Sequence, residues 1–326
     1  MRAIRALRAG GPEVLELADL PEAPPSPGTV LVEVAAAGVN FIDTYRRSGT
    51  YPMPYPHVVG SEGAGTVTAV GAEVEGLAVG DRVAWVDGTA GSYAEQVELA
   101  ARHAVPVPHA VTLEQAAAVM LQGLTAHYLV DSTFPVTAGQ RLLVHAGAGG
   151  VGLLLTQLAV ARGAVVVTTV STEEKAALSR AAGASHVIRY DQLRDLTEEL
   201  PVRVREHVGG VETVFDGVGA ATFDGSLASL VPRGGLALFG GSSGQVDPVD
   251  PQRLARAGSV FLTRPTLAHH VATRAELLHR AAAVFDAMLR GSLEVRVGAT
   301  LPLAEAAEAH RLLEGRGSTG KVLLVP

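Results

Sequence analysis

The chain has 326 residues, of which 48% are hydrophobic and 18% charged, with 37 glycines, no cysteine and a formal net charge of −7. That size suits two ordinary domains, and the composition argues against a largely disordered chain. Negative net charge without a Lys/Arg run longer than two speaks against a nucleic-acid partner, and the missing cysteines exclude disulfides, thiolate nucleophiles and Cys-ligated zinc.

The N-terminus, MRAIRALRAGG, has basic residues but no apolar core of a secretory leader. Residues 14–20, 29–36, 63–70 and 81–86 alternate in the manner of strands, with Gly or Pro between most of them. Short strands with frequent turns predict a compact, barrel-like β domain. The character changes near residue 112, where Thr112 and Glu114 start a helix expected over 112–130. From Arg141 onward, strands expected at 141–146, 164–170, 186–189, 211–216, 235–240 and 260–263 alternate with helices such as 173–182 and 222–230. This order predicts a parallel sheet with helices on both faces. The apolar stretch 151–170 is broken by Arg162 and Gly163 and follows a Gly-rich turn, so it reads as a buried helix and strand rather than a membrane span. After Pro265 come a helix at 274–290, a strand at 293–299, a helix at 303–314 and a strand at 321–325. We read this tail as a return to the first domain. The expected partition is therefore 1–121 with 265–326, and 122–264, in a soluble cytoplasmic protein.

The strongest motif is G-x-G-x-x-G at Gly147, Gly149 and Gly152, between an expected strand and an expected helix. The first Gly permits the tight turn, the second lets backbone approach a pyrophosphate, and the third lets helix and strand pack closely. The N–H groups of the turn, through Gly150 and Val151, then face the anion together with the helix dipole. About 20 residues on, where NAD enzymes offer a carboxylate to the ribose, this chain has Ser171 and Thr172, with Lys175 one turn later. A small polar residue and a cation suit a 2′-phosphate and hence NADPH. Glu173 and Glu174 leave two readings open: first-turn acids favoured by the helix dipole, or a preference for NAD.

These residues resemble the medium-chain dehydrogenase/reductase superfamily, and within it the quinone oxidoreductase (zeta-crystallin-like) branch. The resemblance rests on segments in the expected order: AAGVNFIDTYRRSGTYP (36–52), GSEGAGTVTAVG (60–71), VGDRV (79–83), LQGLTAHYLV (121–130), HAGAGGVG (145–152), FDGVG (215–219), FGGSSG (239–244) and TRPTL (263–267). It implies an α/β fold in which both chain ends form a GroES-like β-rich domain, interrupted by a Rossmann domain with a parallel sheet. It also implies a homodimer through the nucleotide-binding domains and reduction of quinones or other conjugated carbonyls by NADPH. Zinc members of the superfamily carry Cys where this chain has Asn40, and His-Glu where it reads Ser61-Glu62. Without zinc no Lewis acid polarises an alcohol or aldehyde, so a metal-free reductase is expected.

By the same resemblance, Asn40 and Tyr45 line the pocket near the nicotinamide, where an amide and a phenol can hydrogen-bond a carbonyl oxygen. Lys175 and Tyr190 match contacts to the 2′-phosphate, and Arg316 a contact at the adenosine end. Thr125 and Tyr128 are expected near the nicotinamide half. Gly217 stands where relatives often carry Ser. Phe239, Gly240 and Ser242, with Thr263 and Arg264, are expected to close over the ribose and nicotinamide at the strand ends. His145, before the Gly turn, reads as structural. His269 and His270 are adjacent, but nothing else at ligand spacing accompanies them. Two rivals remain: an enoyl-thioester or alkenal double-bond reductase, and a non-enzymatic nucleotide- or RNA-binding relative. Hydride and single-electron transfer stay undivided.

Overall fold

The structure, a computed structural model, describes residues 1–86, 91–315 and 317–326. The chain divides into two compact units, Met1–Gln122 with Val271–Leu289 and Val295–Pro326, and Gly123–His270 with Arg290–Glu294.

The first unit is β-rich. Its N-terminal strands are β1 (Arg2–Ala6), β2 (Leu15–Asp19), β3 (Thr29–Val39), β4 (His57–Val58), β5 (Glu62–Val70), β6 (Arg82–Val86), β7 (Gln96–Ala100) and β8 (Val105–Pro106). Helix α1 (Phe41–Ser48) follows β3 directly, and α2 (Leu113–Tyr128) leads out of the unit. β3 forms the spine of this unit, pairing antiparallel with β5 and β7. Along it Val30, Val32 and Val34 are all buried, the period-2 pattern its sequence predicts. They pack with Trp85, Tyr93 and Leu99, all 0% exposed. Each such fully buried large side chain stabilises by roughly 1.5–3 kcal/mol.

The second unit supplies β9 (Arg141–Val144), α3 (Gly150–Ala161), β10 (Val165–Val170), α4 (Glu173–Ala181), β11 (His186–Arg189), α5 (Leu196–Val208), β12 (Val211–Asp216), α6 (Phe223–Ser229), β13 (Leu230–Leu238), α7 (Pro251–Arg256), β14 (Phe261–Thr263) and α8 (Leu267–His270). Its sheet has the order β11-β10-β9-β12-β13-β14, all parallel. The direction of winding reverses between β9 and β12, which places the ligand-binding crevice of such sheets at their carboxyl ends. Leu143, Val167, Val214 and Leu236 from four adjacent strands are buried in its core. The chain then returns to the first unit with α9 (Arg274–Leu289), β15 (Val297–Pro302), α10 (Ala306–Glu314) and β16 (Lys321–Val325). β16 pairs antiparallel with β3 and parallel with β15, so the two chain ends share one sheet.

The structure differs from the sequence pattern in several places, among them the unexpected strands β1, β4, β7 and β8. The strand expected at 293–299 lies at Val297–Pro302. Its first residues are held otherwise: Gln157 receives the Glu294 N–H at 2.7 Å and donates to the Glu294 carbonyl at 3.0 Å, so this backbone pairs with a side chain instead of a strand. That contact carries Arg290–Glu294 with the second unit, and Leu267–His270 belongs there too, beyond the expected boundary at 265. The helix expected over 112–130 gives way after Tyr128 to a π turn, Leu129–Thr133. Helix α1 lies outside the expected pattern, whereas α5 falls where a helix between strands is expected. Both end on a left-handed glycine, Gly49 (φ 82°) and Gly209 (φ 75°). Among the described residues, no helix is long and apolar enough to cross a membrane.

Candidate active site

The glycine turn forms as its spacing requires. Gly149 is the N-cap of α3 and has no side chain to supply a cap, so the first N–H groups of the helix, at Gly150, Val151 and Gly152, are left for an anion. A Cβ on Gly147 would lie 2.6 Å from Thr168 Cβ on the neighbouring strand. One on Gly152 would strike the Ala146 carbonyl oxygen. Gly149 has more room, with Ala146 O at 3.2 Å as its nearest neighbour. Two glycines thus set packing and the third keeps the turn bare. This cradle fits the pyrophosphate of a dinucleotide.

Ser171 and Tyr190 directly follow β10 and β11, whose last residues, Val170 and Arg189, are register partners. The two side chains therefore start from adjacent strand ends. Thr172 caps α4, its hydroxyl accepting the Lys175 N–H at 3.2 Å. Glu173 is taken up by Arg180 at 2.7 Å and by Arg189 at 3.4 Å, which hold its carboxyl below the usual range. Of the two readings of Glu173, the structure favours the one in which it is not offered to a ribose.

A third turn collects the residues expected at the later strand ends. The Phe239 ring covers Gly217, where a Cβ would lie 2.8 Å from the ring, so a serine there would displace it. Gly240 packs on the Gly217 carbonyl, and Ser242 N–H donates to that same oxygen at 3.3 Å. Thr263 ends β14 beside Ala237 of β13. Arg264 donates to the Pro265 carbonyl at 3.2 Å. Thr125 is buried, and Tyr128, 1% exposed, stacks on His270 with ring centroids 4.2 Å apart. Arg316 lies outside the described residues.

Beneath these turns runs a buried network that sequence reasoning missed. Asp216 accepts the N–H groups of Val218 (2.8 Å) and Gly219 (3.0 Å) and the hydroxyls of Thr222 (2.8 Å) and Ser226 (2.7 Å). Because Ser226 donates to Asp216, its oxygen can accept the Nε2–H of His145 at 2.9 Å, and His145 Nδ1 then accepts from Thr169 at 2.9 Å. Burial lowers the His145 pKa, consistent with this neutral tautomer. The group holds the ends of β9, β10 and β12 together. It is a Ser/His/Asp set by composition only, since all three are buried and Ser226 gives its proton to Asp216 rather than to His145.

In the first unit, α1 places Asn40 at its N-cap and Tyr45 one turn on. The Tyr45 ring lies 6.1 Å from that of Phe41 and 5.4 Å from that of Tyr51. Asn40 is 3% exposed. Its Nδ2 donates to Glu62 Oε1 at 2.7 Å and to the Gly38 carbonyl at 3.2 Å, and its Oδ1 accepts from Lys321 Nζ at 2.8 Å. Lys321 is also ion-paired with Glu62. The expected open donor is thus part of a packed triad. Beside it, Asp43 accepts from Asn40 N–H (3.0 Å), Ser61 hydroxyl (2.5 Å) and Tyr93 hydroxyl (3.2 Å). Burial pushes Asp43 up to about 6 despite these donors and the nearby Arg46 and Lys321 charges. The chain continues from Tyr93 to His310 Nε2 at 3.2 Å and from His310 Nδ1 to Arg47 at 3.0 Å. Arg47 can only donate, so His310 carries its proton on Nε2. Burial, with the Arg47 charge, holds His310 down at about 3. Glu62, Asp43 and Lys321 carried weak signals: Glu62 follows Ser61, Asp43 stands three residues after Asn40, and Lys321 is one of only two lysines in the chain.

A bare glycine turn on a doubly wound sheet defines a dinucleotide-binding protein. Known proteins agree. The model for the alcohol dehydrogenase GroES-like domain matches residues 26–109, and that for zinc-binding dehydrogenases matches 150–279. The quinone oxidoreductase of Pseudomonas aeruginosa is 45% identical over 320 residues, 97% of each chain. A 2-haloacrylate reductase of a Burkholderia species is 39% identical over 329 residues, 98% of this chain and 97% of its own. A mycobacterial protein solved with NADPH superposes with a TM-score of 0.97 at 52% identity, covering 100% of both chains. The chain belongs to the medium-chain dehydrogenase/reductase superfamily, in its zinc-free quinone oxidoreductase branch.

Proposed function

We propose that this protein is an NADPH-dependent quinone reductase that works without a metal ion. The observation that carries the reading is the coexistence of a bare, glycine-capped helix start with Asn40 and Ser61 at positions where zinc relatives hold ligands. The N–H groups of Gly150 to Gly152 bind the pyrophosphate. Ser171, Lys175 and Tyr190 take the 2′-phosphate, with Arg316 at the adenosine end. The Gly217–Ser242 turn, with Thr263 and Arg264, borders the ribose and nicotinamide, and Thr125 and Tyr128 approach the nicotinamide half. NADPH supplies the hydride, or a single electron, when bound. Asn40 and Tyr45 donate hydrogen bonds to the oxygen of the acceptor, where negative charge develops.

The test is NADPH oxidation with 1,4-naphthoquinone, 9,10-phenanthrenequinone and a crotonyl thioester. A clear preference for the quinones is expected; turnover of the thioester alone overturns the reading. The 39% identity to a 2-haloacrylate reductase favours one alternative, reduction of an activated double bond, which the same assay detects.

The reading extends to a cytoplasmic homodimer with no nucleic-acid partner. Its support is the edge strand β14, whose Phe261 is 62% exposed, since an open apolar edge invites pairing with a second copy. Sedimentation of wild type against Phe261→Lys checks it, with a monomeric wild type as the refuting result.

A further inference from the structure

The chain contains 24 arginines and two lysines, Lys175 and Lys321. Lys321 opens β16, is 2% exposed, and lies 281 residues from the side chain it touches, Asn40. Nζ donates to Asn40 Oδ1 at 2.8 Å and pairs with Glu62. Glu62, 0% exposed, accepts Asn40 Nδ2 at 2.7 Å on Oε1 and the Leu121 N–H at 2.6 Å on Oε2. Each member of the triad therefore touches both others. Gly38 forms its floor: a Cβ there would strike the Glu62 carboxylate and lie 2.6 Å from Lys321 Cε. A compact ammonium fits this space, whereas the broad fork of an arginine does not.

The triad settles which way the Asn40 amide points. Its oxygen faces a cation and its nitrogen faces a carboxylate. The flipped amide would set NH2 against the ammonium and C=O against the carboxylate, two repulsions in place of two hydrogen bonds. A cation on Oδ1 also polarises the amide and strengthens Nδ2–H as a donor. Of the two Nδ2 hydrogens, the one on Gly38 O makes the longer contact, 3.2 Å, and is the one an incoming oxygen can take. Stability alone gives little reason for such a pair, because apolar residues of similar volume often replace a buried ion pair without loss.

We propose that Lys321 and Glu62 are positioning residues for quinone reduction, holding the Asn40 amide in one orientation as a polarised donor to the acceptor oxygen. The proposal rests on the reading of Asn40 given above. No member of the triad gains or loses a proton in this role.

The test is a double-mutant cycle of Asn40→Ala, Lys321→Met and the pair, read by kcat with 1,4-naphthoquinone and by fluorescence titration of NADPH. Each single variant is expected to lose roughly 10- to 100-fold in kcat, with the NADPH dissociation constant within about twofold of wild type. The double variant is expected to be no slower than the slower single one, because both changes remove the same donor. Losses that multiply, with Asn40→Ala slow, overturn the proposal while leaving the role of Asn40 intact. Full turnover in Asn40→Ala removes the reading of Asn40 and this proposal with it. If Lys321→Met does not fold, Glu62→Gln takes its place in the cycle under the same criteria. A readout without turnover is the Asn40 side-chain 15N resonance of the free protein. It is expected to shift in Lys321→Met or Glu62→Gln, and an unchanged resonance overturns the proposal.

Discussion

The two units bury polar groups in different ways. The β-rich unit buries full charges, Lys321 against Glu62 and Arg47 beside the neutral His310 and the partly exposed Glu314, with Asp43 close by. The nucleotide unit buries one carboxylate, Asp216, surrounded by N–H groups, hydroxyls and a neutral imidazole, and presents bare backbone N–H groups at its glycine turn. Backbone recognition depends on what side chains leave out, so small residues carry it. Side-chain chemistry depends on which distant residues meet. The first unit should accordingly respond to pH and to charge-removing substitutions, and the second to added bulk.

The sharpest contrast is expected from Gly152→Val. Its Cβ would meet the Ala146 carbonyl oxygen, and in a close-packed turn that collision must push the helix away from the strand. NADPH affinity should fall by about 100-fold or more, about 3 kcal/mol, in calorimetric titration, with quinone-side residues untouched. Affinity within threefold of wild type would break the contrast between backbone and side-chain recognition.

The pH response of the β-rich unit comes next. Asp43 has a folded pKa near 6 against 3.8 in the open chain, so the folded state holds the extra proton between these values. Its contribution therefore favours folding below pH 3.8 and is lost as pH rises through 6, a swing on the order of 3 kcal/mol. His310 acts with the opposite sign. Its folded pKa near 3 lies below the ordinary 6.5, so its contribution is present above pH 6.5 and lost as pH falls through 3. Asp43→Asn should make acid destabilisation between pH 6 and 4 steeper in urea melts, and His310→Gln should make it shallower. Identical pH slopes in all three proteins would show that neither group is held as the geometry implies.

Smaller effects separate cofactor from acceptor contacts. Lys175→Ala should weaken NADPH by roughly tenfold, about 1.4 kcal/mol, and leave NADH nearly unchanged; equal losses with both would remove the 2′-phosphate contact. Tyr45→Phe should lower kcat a fewfold, about 1 kcal/mol, with NADPH affinity intact. Unchanged turnover would make Tyr45 a packing partner of Phe41 and Tyr51 only.

The sequence by itself determined the parallel sheet, the turn at Gly147–Gly152 and the helix that begins after Thr172. These features are local: hydrophobic period, glycine spacing and residue order along a few consecutive elements define them. The resemblance to the superfamily marked Asn40 and Ser61-Glu62 as positions without zinc ligands. Only the tertiary structure decided that Asn40 is locked by Lys321, that Asp43 lies at the end of a chain reaching His310, and that His145 reaches Ser226 and Thr169. It also moved the strand expected at 293–299 to Val297–Pro302, because Gln157 takes the Glu294 backbone. Each of these depends on a contact between residues far apart in the chain. No local pattern specifies such a contact, because burial and charge pairing arise only once the elements that carry these residues have packed together.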